Sequence, residues 1–131
     1  MNRHSVRVYF EDTDFTGRVY HGAFVRFFER GRTELLRAAG IDHMALASSK
    51  PPVYFTLRSM ALEFRAPAFI DDLLVVESMP QGVGGARFKI LQTIFRDEKA
   101  IANADVELCL IDDTGRPVRP NVAIAAALRP G

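Results

Sequence analysis

The sequence predicts an α+β domain: one curved antiparallel sheet wrapped around a single long central helix. Three observations carry the prediction. A stripe of three phenylalanines recurs at helical spacing in the first third of the chain. Four β-type segments follow it, joined by short turns. The length, 131 residues, leaves room for one core, so residues 1–131 form a single domain.

Residues 5–10 are rich in Val, Tyr and Phe and read as a first strand. An acidic turn with a glycine follows over residues 11–17. Phe24, Phe27, Phe28, Gly31, Leu35 and Ala39 then recur in steps of three and four, with Arg26, Arg30, Thr33 and Arg37 on other faces. Three bulky aromatics on one stripe require deep burial, and Gly40 supplies a stop. A shorter helical turn is expected over residues 42–47, closed by Pro51 and Pro52.

From Val53 the period changes to two. Tyr54, Met60, Leu62 and Phe64 share one phase of a long strand, interrupted by Thr56 and Arg58 and ended by Pro67. A second strand is expected over residues 73–79, a glycine turn at Gly82, Gly84 and Gly85, and a third strand over residues 86–95. After a turn at 97–99, Ala102, Ala104, Val106, Leu108 and Leu110 alternate with polar residues, the pattern of a half-buried strand. Asp113-Thr114-Gly115 signals a turn, and residues 121–128 a short final helix. Short links make the last strands antiparallel, and one apolar helix must bury its stripe against their sheet.

Composition excludes several function classes. A net charge of +1 argues against a general nucleic-acid or membrane-surface binder. Arginine supplies 14 of the 17 basic residues; guanidinium forks suit phosphate, although base composition also inflates arginine. Cys109, the only cysteine, lies in an apolar run and is expected to pack as a small hydrophobe. One cysteine allows no intrachain disulfide, and the first ten residues carry no signal-peptide pattern, so a cytoplasmic protein without membrane insertion is expected. The chain contains no GxSxG elbow and no GxxxxGK[ST] phosphate loop. His4, His21 and His43 lack metal-ligand spacing, so no metal site is expected.

Chemistry concentrates between the first strand and the long helix. Glu11, Asp12 and Asp14 crowd three carboxylates together, and Gly17 permits a tight turn. The helix start near His21 and Gly22 has no Ser, Thr, Asp or Asn cap, so its first N–H groups can meet another acceptor. Converging N–H groups and the helix dipole favour an oxyanion, and a nearby carboxylate would complete the parts needed for acyl transfer. As a bare pattern, an acidic turn before a helix is more often structural than catalytic.

The residues themselves carry a resemblance. Arg7-Val8-x4-Thr13-Asp14-x2-Gly17-x-Val19-Tyr20-His21-x2-Phe24, continued by Glu29-Arg30-x-Arg32-Thr33-Glu34, resembles the signature of hotdog-fold acyl-CoA thioesterases. The similarity extends to Met60-x-Leu62-Glu63-Phe64-x-Ala66-Pro67-Ala68-x2-Asp71-Asp72 and so covers nearly the whole chain. Its nearest branch is the 4-hydroxybenzoyl-CoA and Tol–Pal-associated thioesterase group. The resemblance implies a hotdog fold and hydrolysis of an acyl-CoA substrate without metal or redox cofactor, coenzyme A being part of the substrate. It implies a homodimer or homotetramer with active sites between subunits. Asp14 would be the catalytic carboxylate, as nucleophile or general base, and the His21 N–H would polarise the thioester carbonyl. Gly17, Val19, Tyr20 and Phe24 would line the substrate, with Phe24 belonging first to the core. Arg58 and Arg87 are the candidates for the coenzyme A phosphates.

Asp12 is expected to be structural, and Glu29 either to pair with Arg26 or Arg32 along the helix or to serve as a polar group at the site. Phe10 and Arg18 depart from the resemblance, where a tyrosine and an aliphatic residue are usual, which leaves the acyl preference open. A second reading keeps the scaffold without the reaction: a module that binds acyl-CoA or docks on an acyl-carrier or envelope-associated protein.

Overall fold

The computed structural model describes residues 1–130. Strands β1 (Asn2–Arg7), β2 (Tyr54–Phe64), β3 (Leu73–Gly84), β4 (Arg87–Arg96) and β5 (Lys99–Ile111) accompany helices α1 (His21–Ala38), α2 (His43–Ala47) and α3 (Val122–Ala127). The strands form one sheet in the order β1-β3-β4-β5-β2, antiparallel at every pair. Two-residue links, Gly85-Ala86 and Asp97-Glu98, join β3 to β4 and β4 to β5, which leaves those pairs no other orientation. Gly85 and Asp97 both take positive φ at these corners.

The first strand ends earlier than expected. Val8 still exchanges backbone bonds with Asp71 and Asp72, but the Asp12 carboxylate accepts the Tyr9 N–H and turns Phe10–Asp12 into one 3-10 turn. Gly82 is likewise not in the β3–β4 turn. It lies within β3, with φ 118°, where the register against β4 shifts between Pro80 and Gly82. Pro80 fits there because the last β1 pair is Asn2–Ser78.

In β2 a register shift between Leu57 and Ser59 breaks the single phase expected for that strand. The bulge reverses which side chains face the core, so Phe55 on one side of it and Met60 and Leu62 on the other pack inward, while Tyr54 is exposed. Cys109 on β5 is half-buried rather than buried.

Helix α1 buries Ala23, Phe24, Phe27, Phe28, Gly31, Arg32, Leu35 and Leu36; Ala39, expected on that stripe, is exposed. Opposite lie Leu74, Val76, Phe88, Ile90, Ile94, Val106 and Leu110, all fully buried. Gly31 sets the helix–sheet distance: a Cβ there would lie 2.5 Å from Val76 Cγ1 and 3.1 Å from both Gln92 Nε2 and Ser78 Oγ. The helix ends as the glycine predicts. Gly40 takes φ 82°, its N–H donates to the Arg37 carbonyl, and the Ile41 N–H donates to that of Leu36.

The contact also holds a polar group that alternation does not announce. Gln92, on the core phase of β4, donates from Nε2 to the Phe28 carbonyl at 2.8 Å and to Ser78 Oγ at 2.9 Å. Its Oε1 accepts from Arg32 Nη1 at 3.0 Å. Arg32 is only 6% exposed, and burial holds its guanidinium below the usual value, against the opposing pull of Glu29. Replacing Gly31 with Ala should destabilise the fold by about 1–3 kcal/mol, since a methyl group must push Val76 or the helix aside. Chemical denaturation of Gly31→Ala against the native chain measures this, and an unchanged midpoint would refute the close-contact account.

Candidate functional site

The candidate site is built from a five-residue turn, a helix end and the segment leaving β2. In the turn, the Asp14 N–H donates to the Arg18 carbonyl at 2.9 Å and the Gly17 N–H to the Asp14 carbonyl at 3.0 Å. Gly17 takes φ 80°, the left-handed conformation that glycine adopts without strain. Thr13 bridges to Val19 and Arg18 to Phe69, which ties the turn to the body of the domain.

The two central carboxylates point to different tasks. Asp12 is 4% exposed; its Oδ2 accepts the Tyr9 N–H at 2.9 Å and its Oδ1 meets Arg26 at 3.3 Å. It closes the chain into the turn, as expected of a structural residue. Glu29 forms no ion pair with either Arg26 or Arg32 among the described residues. Asp14 is exposed, and its Oδ1 accepts both the Thr16 N–H at 2.8 Å and the Thr16 hydroxyl at 2.6 Å. Those bonds, the hydroxyl first, hold the Asp14 carboxyl below the usual carboxylate range, helped by the charges of Arg18 and His21. Oδ2 has no partner among the described residues.

Helix α1 begins at His21. Its N-cap is Tyr20, whose side chain makes no capping bond, so the helix end is uncovered by its own sequence. The Tyr20 and His21 rings lie 4.2 Å apart between centroids. Gly22 leaves room for this, because a Cβ there would meet the Tyr20 ring at 2.5 Å.

An open cleft of about 560 Å³ joins these pieces, lined by Asp14, Thr16, Arg18, Val19, His21 and Phe24 on one side and by Phe64, Arg65, Ala66 and Pro67 on the other. The Phe24 and Phe64 ring centroids are 5.6 Å apart, giving the cleft an apolar floor beside its charged rim. Of the residues read from sequence, Asp14, Val19, His21 and Phe24 therefore meet at one cleft. Gly17 and Tyr20 shape it without lining it. Arg58 and Arg87 do not reach it within the protomer: Arg58 pairs with Glu107 at 3.0 Å on the sheet, and Arg87 is exposed at the start of β4. Thr16, Arg18 and Arg65 were not singled out for the site from sequence.

The same turn occurs twice. Asp14-Phe15-Thr16-Gly17-Arg18 and Asp112-Asp113-Thr114-Gly115-Arg116 share the pattern D-x-T-G-R. Asp112 also accepts a threonine N–H and hydroxyl, at 2.9 and 2.6 Å, and Gly115 takes φ 86°. The first copy lines the cleft together with the start of α1, whereas the second follows β5, so the same local sequence builds the turn in two different settings.

The chain is similar to known proteins in sequence and in fold. The sequence pattern of the thioesterase superfamily matches residues 16–102. The chain is 39% identical over 111 residues to the acyl-CoA thioester hydrolase YbgC of Escherichia coli O6:H1, covering 84% of this chain and 81% of that protein. It is 36% identical over 107 residues to the acyl-CoA thioesterase YbgC of Haemophilus influenzae, covering 82% and 78%. The crystal structure of a probable thioesterase from Bartonella henselae superposes with a TM-score of 0.90 at 40% identity, over 92% of this chain and 98% of that one. With two-thirds of its length under the family pattern and its one sheet folded around α1 as in these relatives, the chain belongs to the thioesterase superfamily and has the hotdog fold.

Proposed function

We propose that this protein hydrolyses acyl-CoA thioesters to the free acid and coenzyme A, with Asp14 as the reacting carboxylate. The observation that carries the reading is an ionised, exposed carboxylate sharing an open, apolar-floored cleft with the uncapped start of α1. The YbgC relatives supply the substrate class. The thioester carbonyl lies against the N–H groups at His21 and Gly22, where the helix dipole and free donors favour the negative charge that grows on oxygen. Asp14 either takes a proton from the attacking water or attacks the carbonyl carbon itself. Both routes need the carboxylate. In the first, water adds to the carbonyl and the C–S bond breaks to give the acid and coenzyme A thiolate. In the second, the C–S bond breaks first to leave an acyl–Asp14 anhydride, which water then hydrolyses to the free acid. A thioester suits such a site, because sulfur donates less resonance to the carbonyl than oxygen and leaves more readily.

The reading extends to a homodimer. β2 bonds to β5 on one side only, which leaves its other edge as a row of unpaired backbone groups. Tyr54, Leu57 and Phe64 on that strand are 41%, 46% and 48% exposed, and Phe64 also floors the cleft. A second copy pairing along β2 covers this edge and closes the open side of the site. Arg58 lies on that shared strand, and its exposed pairing with Glu107 is of the weak kind that a stronger partner displaces. We assign it, with Arg87, to the coenzyme A phosphates.

In a free-thiol release assay over short, long and aromatic acyl-CoAs, Asp14→Asn should lower kcat/KM by about 10²–10⁴-fold. Equal release by native and variant protein would overturn the reading. Since Asp14 is held below the usual carboxylate range, the native kcat/KM should keep its plateau down through that range and fall only under it, as the group gains its proton. Light scattering should give twice the chain mass or a multiple of it, and Leu57→Lys with Tyr54→Lys should shift the protein toward monomer with loss of activity. A fully active monomer would refute the shared site.

A further inference from the structure

We propose that Thr16 is a positioning residue for Asp14: its hydroxyl and amide together hold Oδ1 and leave Oδ2 as the oxygen that reacts. The inference rests on the reading of Asp14 as the reacting carboxylate.

A free aspartate at a surface turn rotates about two side-chain bonds and presents either oxygen. Here the Thr16 N–H at 2.8 Å and hydroxyl at 2.6 Å converge on the same atom, Oδ1, from two residues downstream. Bonds to an ionised acceptor are short and about twice as strong as neutral ones. Two donors from one residue on one oxygen fix both side-chain torsions, which is how a carboxylate is kept at attacking distance without burial. The opposite oxygen has no partner among the described residues.

The second turn shows what the cleft copy has changed. At Asp112, Oδ1 takes a third donor, the Arg116 N–H, at 3.0 Å. At Asp14 the matching Arg18 N–H lies 3.3 Å from the Thr16 hydroxyl oxygen instead. Thr16 therefore accepts from the backbone while donating to the carboxylate, so its hydroxyl proton has one direction left. In this turn threonine takes over a bond that the aspartate makes directly in the other. The charged groups around Asp14 are Arg18 from the turn, His21 from α1 and Arg65 from the segment after β2.

The test compares Thr16→Val, Thr16→Ala and Thr16→Ser with Thr114→Val, which removes the same hydroxyl from the turn outside the cleft. Misdirecting a reacting group by about 1 Å typically costs 10²-fold, so Thr16→Val and Thr16→Ala should lower kcat about ten- to a hundredfold with KM nearly unchanged. They should also move the acid limb of the pH profile upward, because the carboxylate loses its strongest stabilising bond. Thr16→Ser restores the hydroxyl and should restore both. Thr114→Val should lose a similar amount of stability in urea and none of the activity. Native kcat and acid limb in either Thr16→Val or Thr16→Ala overturns the proposal, as does an equal kinetic loss in Thr114→Val. If Asp14→Asn stays active, it is the parent reading that fails; if Asp14→Asn is inactive while the Thr16 variants are native, only the positioning role falls.

Discussion

The close contact between α1 and the sheet at Gly31 governs the rest of the structure. Because a glycine sits where any Cβ would strike Val76, the helix lies nearly on the strands, and its phenylalanine stripe fills the space on either side. Gln92 ties a helix carbonyl, Ser78 and Arg32 together at the same level. Close-packed interiors resist sliding or rotation, so these contacts fix the helix axis. Fixing the axis fixes where its uncapped end points, and the proposed electrophilic half of the site is that end. A catalytic helix terminus needs such anchoring, since donors that wander cannot stabilise charge at one place.

The proposed carboxylate half arises from a different kind of rigidity. The D-x-T-G-R turn is held by its own backbone bonds and by one left-handed glycine, and it recurs at Asp112 with nearly the same distances. Local sequence is enough to build it in either place. What separates the copies is their surroundings. The first is tied by the Thr13–Val19 and Arg18–Phe69 bridges beside α1, across from Phe64 and Arg65, whereas the second follows β5. Asp12, two residues from Asp14, shows the same dependence on setting: buried against Tyr9 and Arg26, it serves folding rather than chemistry.

The site is open on one side within a single chain. Its apolar floor includes Phe64, half exposed on an edge strand that has one ladder neighbour. Exposed aromatic surface on an unpaired edge is costly for an isolated protein. The proposed pairing along β2 relieves that cost and closes the open side of the site in the same step, so assembly and catalysis would share one surface.

Much of this was legible in the residues. The aromatic stripe fixed the long helix, Gly40 its end, and the alternation from Ala102 to Leu110 the last strand, because each depends on periodicity or on one residue's backbone freedom. The motif around Asp14 and His21 likewise pointed to the segment that forms the cleft. Tertiary structure decided what periodicity does not encode. The β2 bulge reversed the inward face on either side of Arg58, and Asp12 drew Phe10 out of the first strand. A buried glutamine–arginine pair occupies positions that a polarity rule reads as surface. The second wall of the cleft, from Phe64 to Pro67, lies some fifty residues along the chain from Asp14 and reaches it only because β2 takes the sheet edge beside the helix start. Residues near in sequence determined the turn and the helix; only long-range packing could bring a carboxylate, a bare helix end and an apolar floor to one place.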